Sequence, residues 1–291
     1  MQLTKKIGVL LQKNYMAEIG KINYLRIVKE VEFGIYLDGG DHGEILMPGR
    51  YVPENFKVDD FIDAFIYRDS EDRIIATTEK PMATVGEFAF LKVVSISSVG
   101  AFLDWGLPKD LMVPYREQRQ RMERDKSYIV YIYLDKNTER IVATSKIERF
   151  LDNLPPEYSE GQEVNLLIVS KNDLGFKAII NHSHFGMLYL NEVFQTLRQG
   201  QKIKGYIKKV REDDKIDLSL ERPGHEKLDE LAEKILAELK ENDGFLSVTD
   251  KSDPKKIYKL FGTSKKNYKK AIGALYKQRL IILEEFGIRL K

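Results

Sequence analysis

The sequence predicts a mainly β chain with an α-helical C-terminus: three small five-stranded barrels in tandem, then a compact helical domain closed by a β-hairpin. Three observations predict it. First, the chain repeats itself. Residues 25–48, LRIVKEVEFGIYLDGGDHGEILMP, and residues 91–114, LKVVSISSVGAFLDWGLPKDLMVP, share one pattern. Each has an apolar strand, a Gly, an aromatic two residues later, Leu-Asp, a loop, and a short strand ending in Pro. Second, the likeness continues downstream, where residues 66–78, IYRDSEDRIIATT, line up with residues 132–145, IYLDKNTERIVATS. Third, the apolar period lengthens near the C-terminus, with Leu228, Leu231, Ile235 and Leu239 falling on one helical face. The repeat spacing of about 65 residues is too long for a solenoid unit and fits one small barrel per copy.

The elements follow in order. Residues 1–17 form an N-terminal extension. Its first stretch, MQLTKKIGVLLQKNY, is too short and too soon polar for a signal peptide. Either Met16 is the true start or this stretch adds a peripheral strand. Barrel one spans 18–82, with strands at 24–28, 34–37, 44–47, 61–67 and 73–77. Its turns come from Gly34, Gly39-Gly40 and Ser70-Glu71-Asp72. Five strands in about 60 residues without a long helix suggest a closed Greek-key barrel of the OB type. Barrel two, 83–148, repeats the five strands, with the charged run REQRQRMERDK between strands three and four. A linker carrying Asn153-Leu154-Pro155-Pro156 spans 149–160. Barrel three, 161–222, is divergent, and Arg222-Pro223-Gly224 punctuates its end.

Residues 223–291 change period. An amphipathic helix from Glu226 ends near Asn242-Asp243-Gly244, and a short strand follows. Asp253-Pro254 opens a second helix, with Pro in the first helical position. Gly262 ends it, and Thr263 or Ser264 caps a third. Ile281–Leu283 and Phe286–Leu290 form a hairpin. Helix, strand, helix, turn, helix, hairpin is the order of a winged helix.

Composition narrows the chemistry. The 47 basic and 45 acidic residues nearly cancel, so any polyanion-binding surface is local. There is no cysteine, which excludes disulfides, thiol catalysis and Cys-ligated metal. Of four histidines only His182 and His184 approach ligand spacing, and they sit in a Ser/Asn-rich turn, so no metal or cofactor is expected. No apolar run is long enough to cross a membrane, and the protein reads as cytoplasmic. No GxxxxGK[ST], GxGxxG, HExxH or GxSxG occurs, and no segment is left over for a catalytic domain, so the chain reads as non-enzymatic.

The repeats resemble S1 domains, the OB-fold RNA-binding module. The matching residues are Gly34-Ile35-Tyr36 and Gly100-Ala101-Phe102, with closing motifs at Asp69…Arg73-Ile74 and Asp135…Arg140-Ile141. Three S1-like OB-fold barrels followed by a winged-helix domain resemble the conserved virulence factor B family (CvfB, also called YitL) of bacteria, over nearly the whole chain after residue 16. The resemblance implies binding of single-stranded RNA on one face of each barrel. That face would hold Phe33, Tyr36, Asp69 and Arg73 in barrel one, and Phe102, Asp135 and Arg140 in barrel two. Pro48 and Pro114 stand where many S1 domains have a His, and Val99 replaces the aromatic before the Gly. In barrel three Lys177 takes the aromatic place, and Arg211 and Lys215 take the closing-motif positions.

The residues give a parallel argument. Rings on a strand face offer stacking platforms, and nearby cations neutralise phosphates. Tyr36 and Phe102 share a register after a Gly turn and should project from the same face. A tyrosine hydroxyl favours solvent, so Tyr36 is expected on the surface. Phe102 suits core or surface, and Phe33 is expected nearer the core. Arg73 and Arg140 read either as phosphate contacts or as solvated turn charges, and Asp69 and Asp135 as turn formers. The densest charge is C-terminal: ten Lys and Arg from Lys251 to Arg279, with only Asp253 expected to oppose them. On the third helix Tyr268, Ile272 and Leu275 should face inward. Lys265, Lys266, Lys269 and Lys270 should form an outward stripe, extended by Lys277. Asn267 alone could bond a base edge, so phosphate contact without strong sequence choice is expected. The reading that follows is a post-transcriptional regulator of RNA stability or translation. Its rivals are a DNA-binding winged-helix regulator and an adaptor on the ribosome or polymerase.

Overall fold

A computed structural model describes residues 16–193, 195–221 and 226–291 of the chain. Residues 1–15 and Arg222-Pro223-Gly224 lie outside the described residues, as does the side chain of Leu228. The chain divides into two compact units, one ending at Phe150 and one beginning at Leu151.

The first unit holds two barrels. Barrel one is built from β1 (Ile22–Val31), β2 (Gly34–Asp38), β3 (Glu44–Pro48), β4 (Phe61–Arg68) and β5 (Ile74–Thr77), hydrogen-bonded in the closed order β1-β2-β3-β5-β4. Barrel two repeats it with β6 (Phe88–Ile96), β7 (Gly100–Asp104), β8 (Leu111–Pro114), β9 (Ser127–Leu134) and β10 (Ile141–Thr144). A parallel contact closes each ring, Leu46 opposite Ile75 in one and Met112 opposite Val142 in the other. The alternation read from the sequence is the alternation of burial. On β2, Ile35 and Leu37 point into the core while Tyr36 points out. The charged run after Pro114 begins as a single turn of 3-10 helix, Tyr115–Glu117, and continues as loop.

The repeated Gly has a steric cause. A Cβ on Gly34 would stand 2.1 Å from the Met47 carbonyl oxygen, and one on Gly100 2.3 Å from that of Val113. The neighbouring strand's backbone passes where a side chain would begin, so only Gly fits.

The two barrels share a seam. Phe65 and Tyr67 of β4 are buried in the same cluster as Trp105 and the core of barrel two. The Phe65 ring meets Trp105 edge-on, with centroids 5.7 Å apart. Trp105 donates its indole N–H to the Lys109 carbonyl at 2.6 Å. Lys109 Nζ in turn donates to the carbonyls of Arg68 and Asp69, at 2.9 and 2.6 Å. Arg68 pairs with Glu139 at 2.6 Å, and Arg140 with Asp72.

The second unit holds barrel three and the helical domain. Strands β11 (Glu163–Lys171), β12 (Gly175–Ile180), β13 (His184–Tyr189), β14 (Lys202–Val210) and β15 (Ile216–Ser219) close in the same order as the other two. Gly175 meets the same constraint, its Cβ position lying 2.0 Å from the Leu188 carbonyl oxygen. His184 is buried, with Nδ1 bonded to the Tyr158 hydroxyl at 3.0 Å and Nε2 to the Leu154 carbonyl at 2.8 Å. Both ring nitrogens are thereby used inside the protein.

Helix α1 (Glu226–Glu241), β16 (Phe245–Leu246), α2 (Pro254–Phe261), α3 (Lys265–Lys277), β17 (Ile281–Leu283) and β18 (Ile288–Leu290) follow. Asp253 caps α2 by accepting from the Lys255 N–H at 2.7 Å, and Gly262 ends it in the left-handed region at φ 66°. Ser264 caps α3 through the Asn267 N–H at 3.2 Å. Leu231, Ile235 and Leu239 of α1 pack with Ile257, Phe261, Tyr268, Ile272 and Leu275 in one core. Tyr268 is fully buried and donates to the Val248 carbonyl at 3.0 Å.

Candidate nucleic-acid interface

One structural device recurs in all three barrels. The first strand carries a β-bulge, at Ile27/Lys29, Val93/Ser95 and Ile168/Ser170. The residue after each bulge lies opposite a candidate residue on the second strand: Lys29 opposite Tyr36, Ser95 opposite Phe102, and Ser170 opposite Lys177. On the other side the same three residues face Leu46, Met112 and Met187. A bulge re-aims the side chains beside it, and here it does so at equivalent points. Tyr36, Phe102 and Lys177 therefore occupy one register position in three barrels, each half-buried and outward.

In barrel one, Lys29 Nζ lies 4.7 Å from the centre of the Tyr36 ring and pairs with Glu44 at 2.5 Å. Tyr36 is thus partly covered rather than open. Phe33, expected nearer the core, is instead the more exposed ring at 59 %, because it sits in the turn between β1 and β2. Arg73 is exposed but answered within its own turn, donating from Nε to Asp69 Oδ2 at 2.9 Å and pairing with Glu71 at 3.1 Å. Asp69 forms the turn by accepting from the N–H groups of Glu71 and Arg73 at 2.9 and 3.0 Å. Partial burial pushes its carboxyl up, but the hydrogen bonds from Arg73 outweigh that and hold it below the usual range.

Barrel two departs from the expectation that Arg140 belongs to the binding face. Its guanidinium grips Asp72 of barrel one in a two-pronged pair, so it builds the seam. Asp135 forms its turn, accepting from Asn137 and Thr138, and those bonds lower its carboxyl pKa. Sequence reasoning missed Tyr115. Its hydroxyl donates to the Ser97 carbonyl at 2.7 Å, and the Arg121 guanidinium lies 3.8 Å from the ring centre. This ring and cation stand beside the β6–β7 turn that leads to Phe102.

Barrel three moves its ring to the next strand. Tyr189 occupies the ladder position of Pro48 and Pro114, each opposite the repeated Gly. Arg211 donates to the Tyr189 hydroxyl at 2.6 Å and from Nε to Asp217 at 3.0 Å. Lys177 Nζ sits 3.4 Å from the centre of the Phe185 ring. Lys215 is exposed and pairs with Asp213 at 2.6 Å. Phe185 and Tyr189 carry no signal in the sequence, because the ring of the first two copies lies on the second strand of the barrel and theirs lies on the third.

On α3, Lys266, Lys270 and Lys277 are exposed and Lys265 half-exposed. The spacing 266, 270, 277 puts three of them on one line of the helix. Two expectations need correction. Asp253 is not the only opposing acid, because Asp250 pairs with Lys269 at 3.3 Å. The Asn267 amide is also engaged, donating to Glu221 Oε2 at 2.8 Å, which ties the helix to the end of barrel three. Among the described residues no group of three His, Asp or Glu side chains could hold a metal ion, and no helix is long and apolar enough to cross a membrane.

Comparison with known proteins agrees with this architecture. The S1 domain model matches residues 19–79 and 85–146, and the CvfB-like winged helix domain model matches residues 233–290. The protein named Conserved virulence factor B of Staphylococcus aureus (strain USA300) is 27 % identical, with 94 % of each chain covered. The chain is similar to CvfB proteins along nearly its whole length, and its C-terminal domain is of the CvfB-like winged helix type. A second CvfB relative, "Uncharacterized protein YitL" of Bacillus subtilis (strain 168), is also 27 % identical, with 89 % of each chain covered. A crystal structure of a multidomain protein with nucleic acid binding domains from Streptococcus pneumoniae is 24 % identical. It covers 94 % of this chain and 98 % of its own, at a TM-score of 0.40. Barrel three lies outside the segments matched by the S1 model, yet its strand order and bulge are those of the first two barrels.

Proposed function

We propose that this chain is a non-catalytic, cytoplasmic RNA-binding protein that engages single-stranded RNA and acts on RNA stability or translation. The observation that carries the reading is the shared register: Tyr36, Phe102 and Lys177 project outward at one position of three like barrels. Stacking on such rings is worth ~1–3 kcal/mol per base and tolerates any sequence. Phe33, Tyr115 and Tyr189 extend the ring surface, and Lys266, Lys270 and Lys277 supply phosphate contact from α3. Arg73, Lys177 and Lys215 contribute charge near the barrels, each already close to a carboxylate or a ring.

The wing favours RNA over duplex DNA. Its β17–β18 turn carries Glu284 and Glu285, and Arg289 is tied to Glu284 at 2.6 Å. An acidic wing repels the phosphates that a DNA-binding wing would grip. Fluorescence anisotropy with a labelled oligoribonucleotide tests the proposal, against Tyr36→Ala and Lys266→Glu/Lys270→Glu variants. Tighter binding to single-stranded RNA than to duplex DNA, weakened in both variants, is the expected result. No binding at low salt sinks the function, and unchanged affinity in both variants sinks the site.

A further inference from the structure

Barrel one leaves part of its outer wall open. Strand β1 pairs with β2 through Ile27–Val31 and with β4 through Ile22–Arg26. The register of Tyr36 belongs to the first of these pairings. The second carries rings that the proposed function does not use: Tyr24 is 64 % exposed, Phe61 51 % and Ile22 46 %. The Tyr24 and Phe61 rings stack on each other with centroids 5.3 Å apart. Asp63 stands opposite Tyr24 on the ladder and is exposed. Its carboxylate makes no ion pair or hydrogen bond among the described residues. The neighbouring Arg26 is already answered, by Asp38 at 3.5 Å and Asp59 at 2.8 Å. The wall is therefore an apolar patch with a free carboxylate in it, the mark of an interaction surface.

The equivalent walls of the other barrels are closed. Counted from the bulge, Phe88 and Tyr131 take the places of Ile22 and Phe65, and Phe90 and Ile129 those of Tyr24 and Asp63. Phe88 is 0 % exposed and Ile129 7 %. The cover in barrel two is the chain segment after β10. Its Phe150 ring stacks on Tyr131 at 4.0 Å, and the adjacent Arg149 pairs with Glu117 at 2.5 Å. Barrel three closes its wall with charge, Lys204 pairing with Glu163 at 2.5 Å. Barrel one has the rings and, among the described residues, neither closure.

We infer that this wall of barrel one docks a segment of a partner protein in which an arginine lies beside an aromatic residue. The aromatic ring stacks on Tyr24 and Phe61, as Phe150 does on Tyr131. The guanidinium meets the Asp63 carboxylate and lies against the Tyr24 ring. Charge selects against the other occupants. Nucleic acid would bring its phosphates against Asp59 and Asp63. A second copy meeting this wall face to face would set the acids of both copies together. Residues 1–15 contain no arginine, and no aromatic residue before Tyr15. The inference does not rest on RNA binding.

The test screens the full-length, nucleic-acid-free protein against phage displaying random short peptides, then titrates a selected peptide by fluorescence anisotropy. The selected peptides are expected to share an arginine next to an aromatic residue. Tyr24→Ala and Asp63→Lys should each weaken binding about tenfold, with the thermal melt as in the wild type. Asp63→Lys should bind a peptide with glutamate in place of that arginine more tightly than the wild type does. Affinity for single-stranded RNA should be the same in Tyr24→Ala as in the wild type. A screen that yields no peptide, peptides that share no arginine, or binding that both variants leave unchanged overturns the inference. A loss of RNA affinity in Tyr24→Ala overturns it and gives the wall to nucleic acid. A dimer that Tyr24→Ala dissociates gives it to a second copy. A chain beginning at Met16 that binds the peptide about tenfold more tightly than the full chain gives it to residues 1–15.

Discussion

Arg140 of the second barrel donates from Nε to Oδ1 of Asp72 in the first barrel at 3.0 Å, and from a second nitrogen to Oδ2. The two residues belong to equivalent turns of two repeats, yet they play opposite parts in one contact. The hydrogen bond from Arg140 holds the Asp72 carboxyl below the ordinary carboxylate range. A carboxyl lowered in the folded state contributes stability above its unfolded pKa of about 3.9, and loses it as pH falls through the folded value. Asp72→Asn should therefore melt below wild type at neutral pH, with the gap closing as pH drops below about 4. Thermal unfolding followed by Trp105 fluorescence reads this. A gap that stays constant into acid would assign the loss to something other than the carboxylate.

The apolar part of the seam should matter more than the ion pair. Phe65 is 2 % exposed and packs edge-on against Trp105. Phe65→Ala deletes a buried ring from the shared cluster and should cost ~3–5 kcal/mol. Urea denaturation is the measurement, and a loss below about 1 kcal/mol would show that the barrels do not depend on the contact.

Tyr36→Ala and Phe102→Ala should each weaken RNA binding by ~1–3 kcal/mol without lowering the melting temperature, since both rings point outward. Tyr36→Phe should bind like wild type, because a stacking platform needs the ring rather than the hydroxyl. Anisotropy titrations beside thermal melts separate the two effects.

The lysines of α3 should not be equivalent. Lys266 and Lys270 make no ion pair among the described residues, whereas Lys269 sits 3.3 Å from Asp250. Replacing either of the first two by Ala should reduce the salt dependence of single-strand binding by about 0.7 in log–log slope. Lys269→Ala should change it less, and Asp250→Asn should strengthen binding. Titrations at several salt concentrations decide this.

The barrels were legible because their signals are local. The Gly34 and Gly100 spacings mark a strand crowded by its neighbour's backbone, and the alternation of Ile35, Tyr36 and Leu37 marks one buried face. The caps Asp253 and Ser264 act within three residues, so the helices of the winged domain were equally readable. What sequence could not reveal was pairing at a distance. Asp72 lies 68 residues from Arg140, and Glu221 lies 46 from Asn267. From sequence Arg140 suits a phosphate contact or a solvated turn and Asn267 a base edge; only the fold supplies the carboxylates that engage them. The shift from β12 to β13 in barrel three was hidden for another reason. Tyr189 aligns with two prolines, and no ring is expected where its counterparts have none.

The seam between barrels one and two has a mechanical consequence. Two modules on a loose tether pay for each other's alignment every time a ligand bridges them, and their reach varies with the tether. Buried rings, a lysine clamped on two carbonyls and crossed ion pairs make the pair a single ruler with a set pitch. On the proposed function, the length of strand that these two modules cover is then dictated by the protein, and a strand too short to span that pitch should gain only half the grip.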